Sequence, residues 1–211
     1  MTRVFDLSQP IETGMTIFPG DPVPSIQPAA GVVAPWRVTE LHLGSHTGTH
    51  IDSASHYIPK GKTIDQYPLA RFMLPGMVVP VPGLADDHPI SDELIANQLK
   101  GFPEGGAVLI RTDWDQFWKT ERYLRHPYLS AEASLRLVQA GASLVGIDAL
   151  NVDSTVQSAD QVHRCLLEKD VLIVENLARL SGLQPGRLYN FSFLPVYLPG
   201  LDGSPVRAVA W

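Results

Sequence analysis

The sequence predicts a mixed α/β fold in one domain spanning residues 1–211, and three observations carry that reading. The chain has 45% hydrophobic and 18% charged residues, a globular balance. Its second half alternates short apolar runs with helical patterns at the spacing of βαβ crossovers. Its first half reads as strands and turns, against a background of 17 glycines and 18 prolines. A mass of 23.1 kDa implies a folded surface of roughly 9,700 Å² and one core large enough to stand without disulfides.

Val4 to Leu7 is the first strand candidate. Residues 15 to 36 contain Phe18-Pro19-Gly20-Asp21-Pro22 and further prolines, so they read as a loop. Val38 to Leu43 alternates apolar and polar residues, as a half-buried strand does. Met77 to Val81 is a strand stopped by Pro82-Gly83. Ser91, followed by Asp92 and Glu93, is a helix N-cap for Leu94 to Leu99. Ala107 to Ile110 is a buried strand. Ser130 caps a helix reaching about Ala140, and Gly141 ends it. Leu144 to Ile147 is a strand, Ala159 to Glu168 a helix and Val171 to Val174 a strand. Leu188 to Val196 and Val206 to Trp211 are the last strand candidates. The β-rich front half argues against a purely doubly wound sheet and for a mixed sheet with an antiparallel or barrel-like portion.

Composition excludes several functions. Lys and Arg total 16 against 22 Asp and Glu, a net charge of −6. An acidic chain without a basic patch is unsuited to nucleic acid or anionic membranes. The one cysteine, Cys165, permits no internal disulfide and falls on the apolar stripe of its helix, where it is expected to pack. No apolar run approaches the ~18 residues of a membrane span. MTRVFDLSQP lacks the apolar stretch of a secretory signal, so a cytoplasmic location is expected.

Chemistry concentrates in one segment. Of seven histidines, His42, His46, His50 and His56 lie within fifteen residues. Imidazoles and a carboxylate suit first-row metals, zinc above all. On a straight strand the Cα atoms of His46 and His50 would stand about 13 Å apart, too far to share an ion. Thr47-Gly48-Thr49 is a poor helix former, so a bend at Gly48 is the arrangement that lets the two rings converge. Asp52, two residues after His50, then shares its face, and its two oxygens can bridge two ions. His42 reads as structural or supporting. His88 and His126 each precede a proline in surface-like sequence. Glu175 follows a strand, where open α/β sheets place their sites, yet it would serve equally as a cap for the residues after it. His163 would serve equally as a surface residue of its helix. Asp148, Asn151 and Asp153 follow a strand and suit either the wall of a site or ordinary turn chemistry.

His46-Thr47-Gly48-Thr49-His50-Ile51-Asp52, with His56 four residues on, fits the pattern H-x-G-T-H-x-D-x-x-x-H. It resembles the signature of the cyclase family of metal-dependent hydrolases, which includes bacterial kynurenine formamidases and isatin hydrolases. The resemblance takes in Phe18-Pro19-Gly20-Asp21 and the pair His163 and Glu175. It implies a swivelling β/β/α fold, assembled as a homodimer or larger. It implies a first metal site from His46, His50 and Asp52, and a second from Asp52 and His163, with Glu175 reaching both. His56 matches the family's proton donor and acceptor, and Phe18 the position that touches substrate. The implied metal is zinc, two per subunit, with manganese in the isatin-hydrolysing branch. The implied reaction is hydrolysis of a small aromatic amide, N-formylkynurenine to kynurenine and formate, as in tryptophan catabolism. A cyclic amide or lactone such as isatin is the alternative. Two departures bear on substrate: Phe18 stands where formamidases carry Trp, and Asp52-Ser53-Ala54-Ser55-His56-Tyr57 replaces D-x-P-x-H-F. A serine hydrolase is disfavoured by the lack of a G-x-S-x-G elbow. A non-catalytic metal-binding or small-ligand-binding protein would keep the same ligands.

Overall fold

A computed structural model describes residues 3–211. Its strands are β1 (Phe5–Asp6), β2 (Ser25–Pro28), β3 (Thr39–His42), β4 (His50–Asp52), β5 (Met73–Pro80), β6 (Pro89–Ile90) and β7 (Ala107–Arg111). They continue as β8 (Tyr128–Leu129), β9 (Leu144–Ile147), β10 (Leu172–Glu175), β11 (Tyr189–Ser192), β12 (Gly203–Pro205) and β13 (Val209–Ala210). The helices are α1 (Asp92–Ala96), α2 (Ala131–Gln139) and α3 (Gln161–Glu168). Nine strands make one sheet in the order β1-β13-β11-β5-β7-β9-β10-β4-β12, curled into a half-barrel. Its centre, β5-β7-β9-β10, is parallel, and both flanks are antiparallel. This is the mixed sheet with a barrel-like portion that the sequence predicts.

The central strands read as unbroken apolar runs because both faces are covered. Along β7, Val108 and Ile110 join one core with Ile95, Leu137, Val162 and Leu166 of the helical layer. Ala107 and Leu109 turn to the other core, with Phe72, Tyr189, Phe191 and Phe193. Helix α1 follows Ser91 without a side-chain cap bond, α3 starts two residues later than expected, at Gln161, and α2 starts as its sequence directs. Ser130 Oγ accepts the Ala133 N–H at 3.1 Å, and Gly141 (φ +80°) ends the α2 turn. Arg136 clasps Asp92 through two bonds of 2.7 and 2.9 Å, joining α1 to α2. Among the described residues no helix is long and apolar enough to cross a membrane.

The structure corrects the sequence reading in four places. Residues 25–28 are a strand, not loop, pairing with β3 in the register Ser25↔His42. Every residue of β3 is exposed, so the expected buried face of 38–43 is absent. The total surface is 10503 Å², above the ~9,700 Å² of a smooth monomer. β5 starts at Met73 rather than 77. Pro75 is tolerated there because it pairs only with Asn190, the β7 pairing beginning at Gly76. At the C-terminal end, β11 and β13 are shorter than the runs suggested, and β12 lies between them in sequence, where no strand was expected.

His126 is the fourth correction: it is 1% exposed, not a surface residue. Its Nδ1–H donates to the Pro127 carbonyl at 2.9 Å, and its Nε2 accepts from Thr155 Oγ1 at 2.8 Å. Burial holds its pKa down to about 4, from 6.5. The neutral form is therefore favoured by folding. That stability is complete above pH 6.5, falls away as pH drops below it, and levels off near pH 4. At pH 5 the loss should be about 2 kcal/mol. Urea unfolding of wild type and His126→Asn at pH 7.5 and 5 checks this: the difference between the two proteins should shrink at pH 5. An unchanged difference would show that His126 does not titrate with folding.

Candidate metal centre

The turn Gly44 to Thr49 reverses at Gly48, whose φ of +67° is left-handed. Asn176, the residue after β10, holds it in place. Its side-chain N–H donates to the Gly48 carbonyl at 3.0 Å, and its own carbonyl accepts from Thr49 Oγ1 at 2.6 Å. The same Gly48 carbonyl accepts the Nδ1–H of His50 at 2.8 Å, which leaves the His50 Nε2 lone pair facing inward. The rings of His46 and His50 meet edge to face with centroids 5.0 Å apart. The bend inferred from the glycine is therefore the one observed.

β4 lies between β10 and β12, with His50 opposite Glu175, and Asp52 opposite Gly203. Strand alternation sends His50 and Asp52 to one face, while Ile51 enters the core. His163 approaches on α3. Asp153 accepts the backbone N–H groups of Val162 and His163, both at 2.9 Å, and the His163 Nδ1–H at 2.8 Å. It thus caps the helix from outside and fixes the histidine's tautomer. Of the three residues left open between site wall and turn chemistry, Asp153 supports His163, and Asn151 lines the cleft. Asp148 does neither. Its carboxylate accepts from Thr112 N, Thr112 Oγ1 and Asp113 N at 2.6–2.9 Å, holding the turn after β7. Burial lifts its pKa to about 7 against those bonds. His42 is exposed on β3, remote from this chemistry in role. Cys165 is half-buried.

Donor atoms of His46, His50 and Asp52 lie within 4.8 Å of one another, and so do those of Asp52, His163 and Glu175. Asp52 belongs to both sets. His50 Nε2 stands 3.3 Å from Asp52 Oδ1 and 3.5 Å from Glu175 Oε2. His163 Nε2 stands 3.6 Å from Asp52 Oδ2 and 3.5 Å from Glu175 Oε1. These gaps are long for hydrogen bonds. They match two donors bound to one tetrahedral ion, which at ~2.1 Å bond lengths stand ~3.4 Å apart. Asp52 Oδ2 is fully buried and has no hydrogen-bond partner, a costly arrangement that a cation would relieve. The donor set fits divalent metal, and the inward nitrogen of each imidazole is held by a bond at its other nitrogen.

Electrostatics agree. Burial works against the imidazolium of His46, but the charge of Asp52 and bonds to Asp202 and Asp52 push its pKa up to about 10. His163 is also desolvated, yet its bond to Asp153 and the nearby carboxylates of Asp52 and Glu175 raise it to about 10. Asp52 is held well below the ordinary range, despite burial, by His50 and His46. Burial and the neighbouring Asp52 raise Glu175. Protons on His46 and His163 balance the carboxylates in the metal-free chain, and a divalent cation would take their place.

The centre opens into a cleft whose walls include Ile17, Phe18, Asp21, Tyr57 and Leu150. Phe18 and His56 both line it, as does Tyr57, which stacks on His163 at 4.7 Å. One residue escaped the sequence reading: Asp202, whose carboxylate meets both His46 and His56.

A curled mixed sheet that gathers histidines and shared carboxylates at the foot of a cleft defines a class of proteins built around a metal centre. Residues 5–154 match the family described as Putative cyclase. A kynurenine formamidase of Paracidovorax citrulli is 33% identical, over 98% of this chain and 95% of its own length. One from Bordetella avium is 31% identical over 99% and 98%. Among solved structures, a protein described as a potential metal-dependent hydrolase with cyclase activity superposes with a TM-score of 0.82 at 27% identity, covering 99% of this chain and 96% of that one. Isatin hydrolase A of Labrenzia aggregata shares the fold, with a TM-score of 0.88 at 23% identity over 99% and 93%. The chain belongs to the cyclase family.

Proposed function

We propose that this protein is a metal-dependent hydrolase of a non-peptide carbon–nitrogen bond in a small aromatic amide, with an arylformamide such as N-formylkynurenine as substrate. The observation that carries the reading is the Asp52 carboxylate, buried, with one oxygen unpartnered, between two histidine-containing donor sets. His46, His50 and Asp52 would hold one ion and Asp52 and His163 the second, with Glu175 within reach of both donor sets. Zinc is the proposed metal and manganese the substitute. When bound there, a divalent cation would supply polarisation of the substrate carbonyl and a water of lowered pKa.

The chain's own groups do the rest. Phe18 and Tyr57 offer aromatic faces to a planar ring. His56, half-exposed in the cleft, accepts a proton from the attacking water and returns it to the leaving nitrogen. Water adds to the formyl carbon, the C–N bond breaks, and an aryl amine and formate leave. The resemblance to enzymes of this family also brings a cytoplasmic homodimer into the proposal, which light scattering of the purified protein tests.

The deciding experiment loads the chelated protein with zinc or manganese and assays N-formylkynurenine, isatin and simple lactones. Turnover of N-formylkynurenine that chelator abolishes and metal restores is expected. Turnover of isatin alone transfers the reading to cyclic amides, and no turnover with full metal content leaves a binding protein. His56→Ala should keep its metal and lose roughly 10²-fold or more in kcat. Unchanged turnover in that variant removes His56 from the proton path.

A further inference from the structure

Asp202 lies 146 residues from His56 in sequence, and its Oδ2 faces two imidazoles at once. It stands 3.0 Å from His46 Nε2 and 3.3 Å from His56 Nδ1. The two rings are 4.0 Å apart, centroid to centroid. This position is built into the fold. The Asp202 carbonyl accepts Ser53 N–H at 2.9 Å and Ser53 Oγ–H at 2.8 Å. Next to it, Gly203 pairs with Asp52. A Cβ on Gly203 would stand 2.8 Å from His46 Cε1, so only glycine lets that ring settle beside the carboxylate.

We propose that Asp202 is the positioning residue of the catalytic histidine. Accepting the Nδ1–H of His56, it fixes the ring and leaves Nε2 as the basic nitrogen turned to the cleft. Accepting the Nε2–H of His46 through the same oxygen, it leaves His46 Nδ1, 2.7 Å from Asp52 Oδ1, on the side of the metal donors. One carboxylate thereby locks the tautomer of a proton carrier and of a metal ligand together. Its side chain is 40% exposed, so it also places His56 at the solvent boundary, where a carried proton can be exchanged. The inference rests on the proposed hydrolase reading, in which His56 moves the proton.

The test uses the zinc-loaded full chain. Nitrogen-15 histidine spectra at mildly alkaline pH, with the His56 signals assigned by their loss in His56→Gln, should show Nδ1 protonated and Nε2 bare. Asp202→Asn should populate the opposite tautomer. At confirmed full zinc occupancy it should lose roughly 10- to 100-fold in kcat, with KM held within about two-fold. Asp202→Glu, which keeps the acceptor charge, should recover part of that loss. Because the backbone bonds to Ser53 do not involve the side chain, the variants should fold, and circular dichroism verifies it. A wild-type His56 protonated on Nε2, or an Asp202→Asn enzyme with unaltered kcat, overturns the proposal. Should no substrate in the panel be hydrolysed, the hydrolase reading fails and the tautomer spectra alone decide the role of Asp202.

Discussion

Asp52→Asn should abolish binding of both metal ions together and lower kcat/KM by roughly 10³-fold or more, about 4 kcal/mol of transition-state stabilisation. The reasoning is geometric. Asp52 Oδ1 faces His46 and His50, and Oδ2 faces His163. Asparagine keeps the shape but replaces one oxygen with an amide that cannot ligate, and it removes the negative charge that offsets two cations in a buried site. His163→Ala is the contrast, since it takes a donor from one set only. Zinc titration followed by calorimetry should therefore give no tight site in Asp52→Asn and one in His163→Ala. Retention of both tight sites in Asp52→Asn would show that the carboxylate is not shared. The metal-free variant should unfold near the wild-type midpoint, because His46 and His163 can release the protons that Asp52 had held on them.

What the sequence disclosed follows from which forces act locally. Strands Ala107–Arg111 and Leu144–Ile147 were visible because burial on both faces forces an unbroken apolar run. The bend at Gly48 was visible because two histidines four apart, in a segment too poor in helix formers for a helix, converge only through a turn. β4 was harder: the buried pair that faces the site, His50 and Asp52, is polar for chemical reasons, so no apolar alternation marks it. β2 was hidden among prolines, since a ribbon this exposed has no core to enforce a pattern. His126 was misread because its buried ring meets Thr155, 29 residues on, a partner that nothing in the neighbouring residues announces. Asp202 left no signal. It sits in an ordinary Leu-Asp-Gly turn, and its partners are 146 and 156 residues away. Pairing of β12 with β4 brings it to them, and that pairing is a product of the whole sheet.

Gly48→Ala should weaken zinc binding at least tenfold and lower stability by about 1–3 kcal/mol. Two costs combine. The left-handed φ of +67° is one that a side chain disfavours. In addition, a Cβ would lie 2.8 Å from Ile11 Cγ1, closer than contact allows. The loop must shift, and the Gly48 carbonyl moves with it. Since that oxygen orients His50 and is itself gripped by Asn176, displacement turns Nε2 of His50 away from its partners. Gly14→Ala separates the two costs: Gly14 also has a positive φ, +80°, but open space surrounds it. It should lose only the backbone share of stability and keep full zinc affinity. The double variant Gly48→Ala/Ile11→Ala removes the clash while keeping the strained φ. Recovery of zinc affinity there would assign the defect to Ile11, and persistence would assign it to the turn. Equal losses in Gly48→Ala and Gly14→Ala, with zinc affinity intact in both, would mean that the bend does not set the geometry of His50.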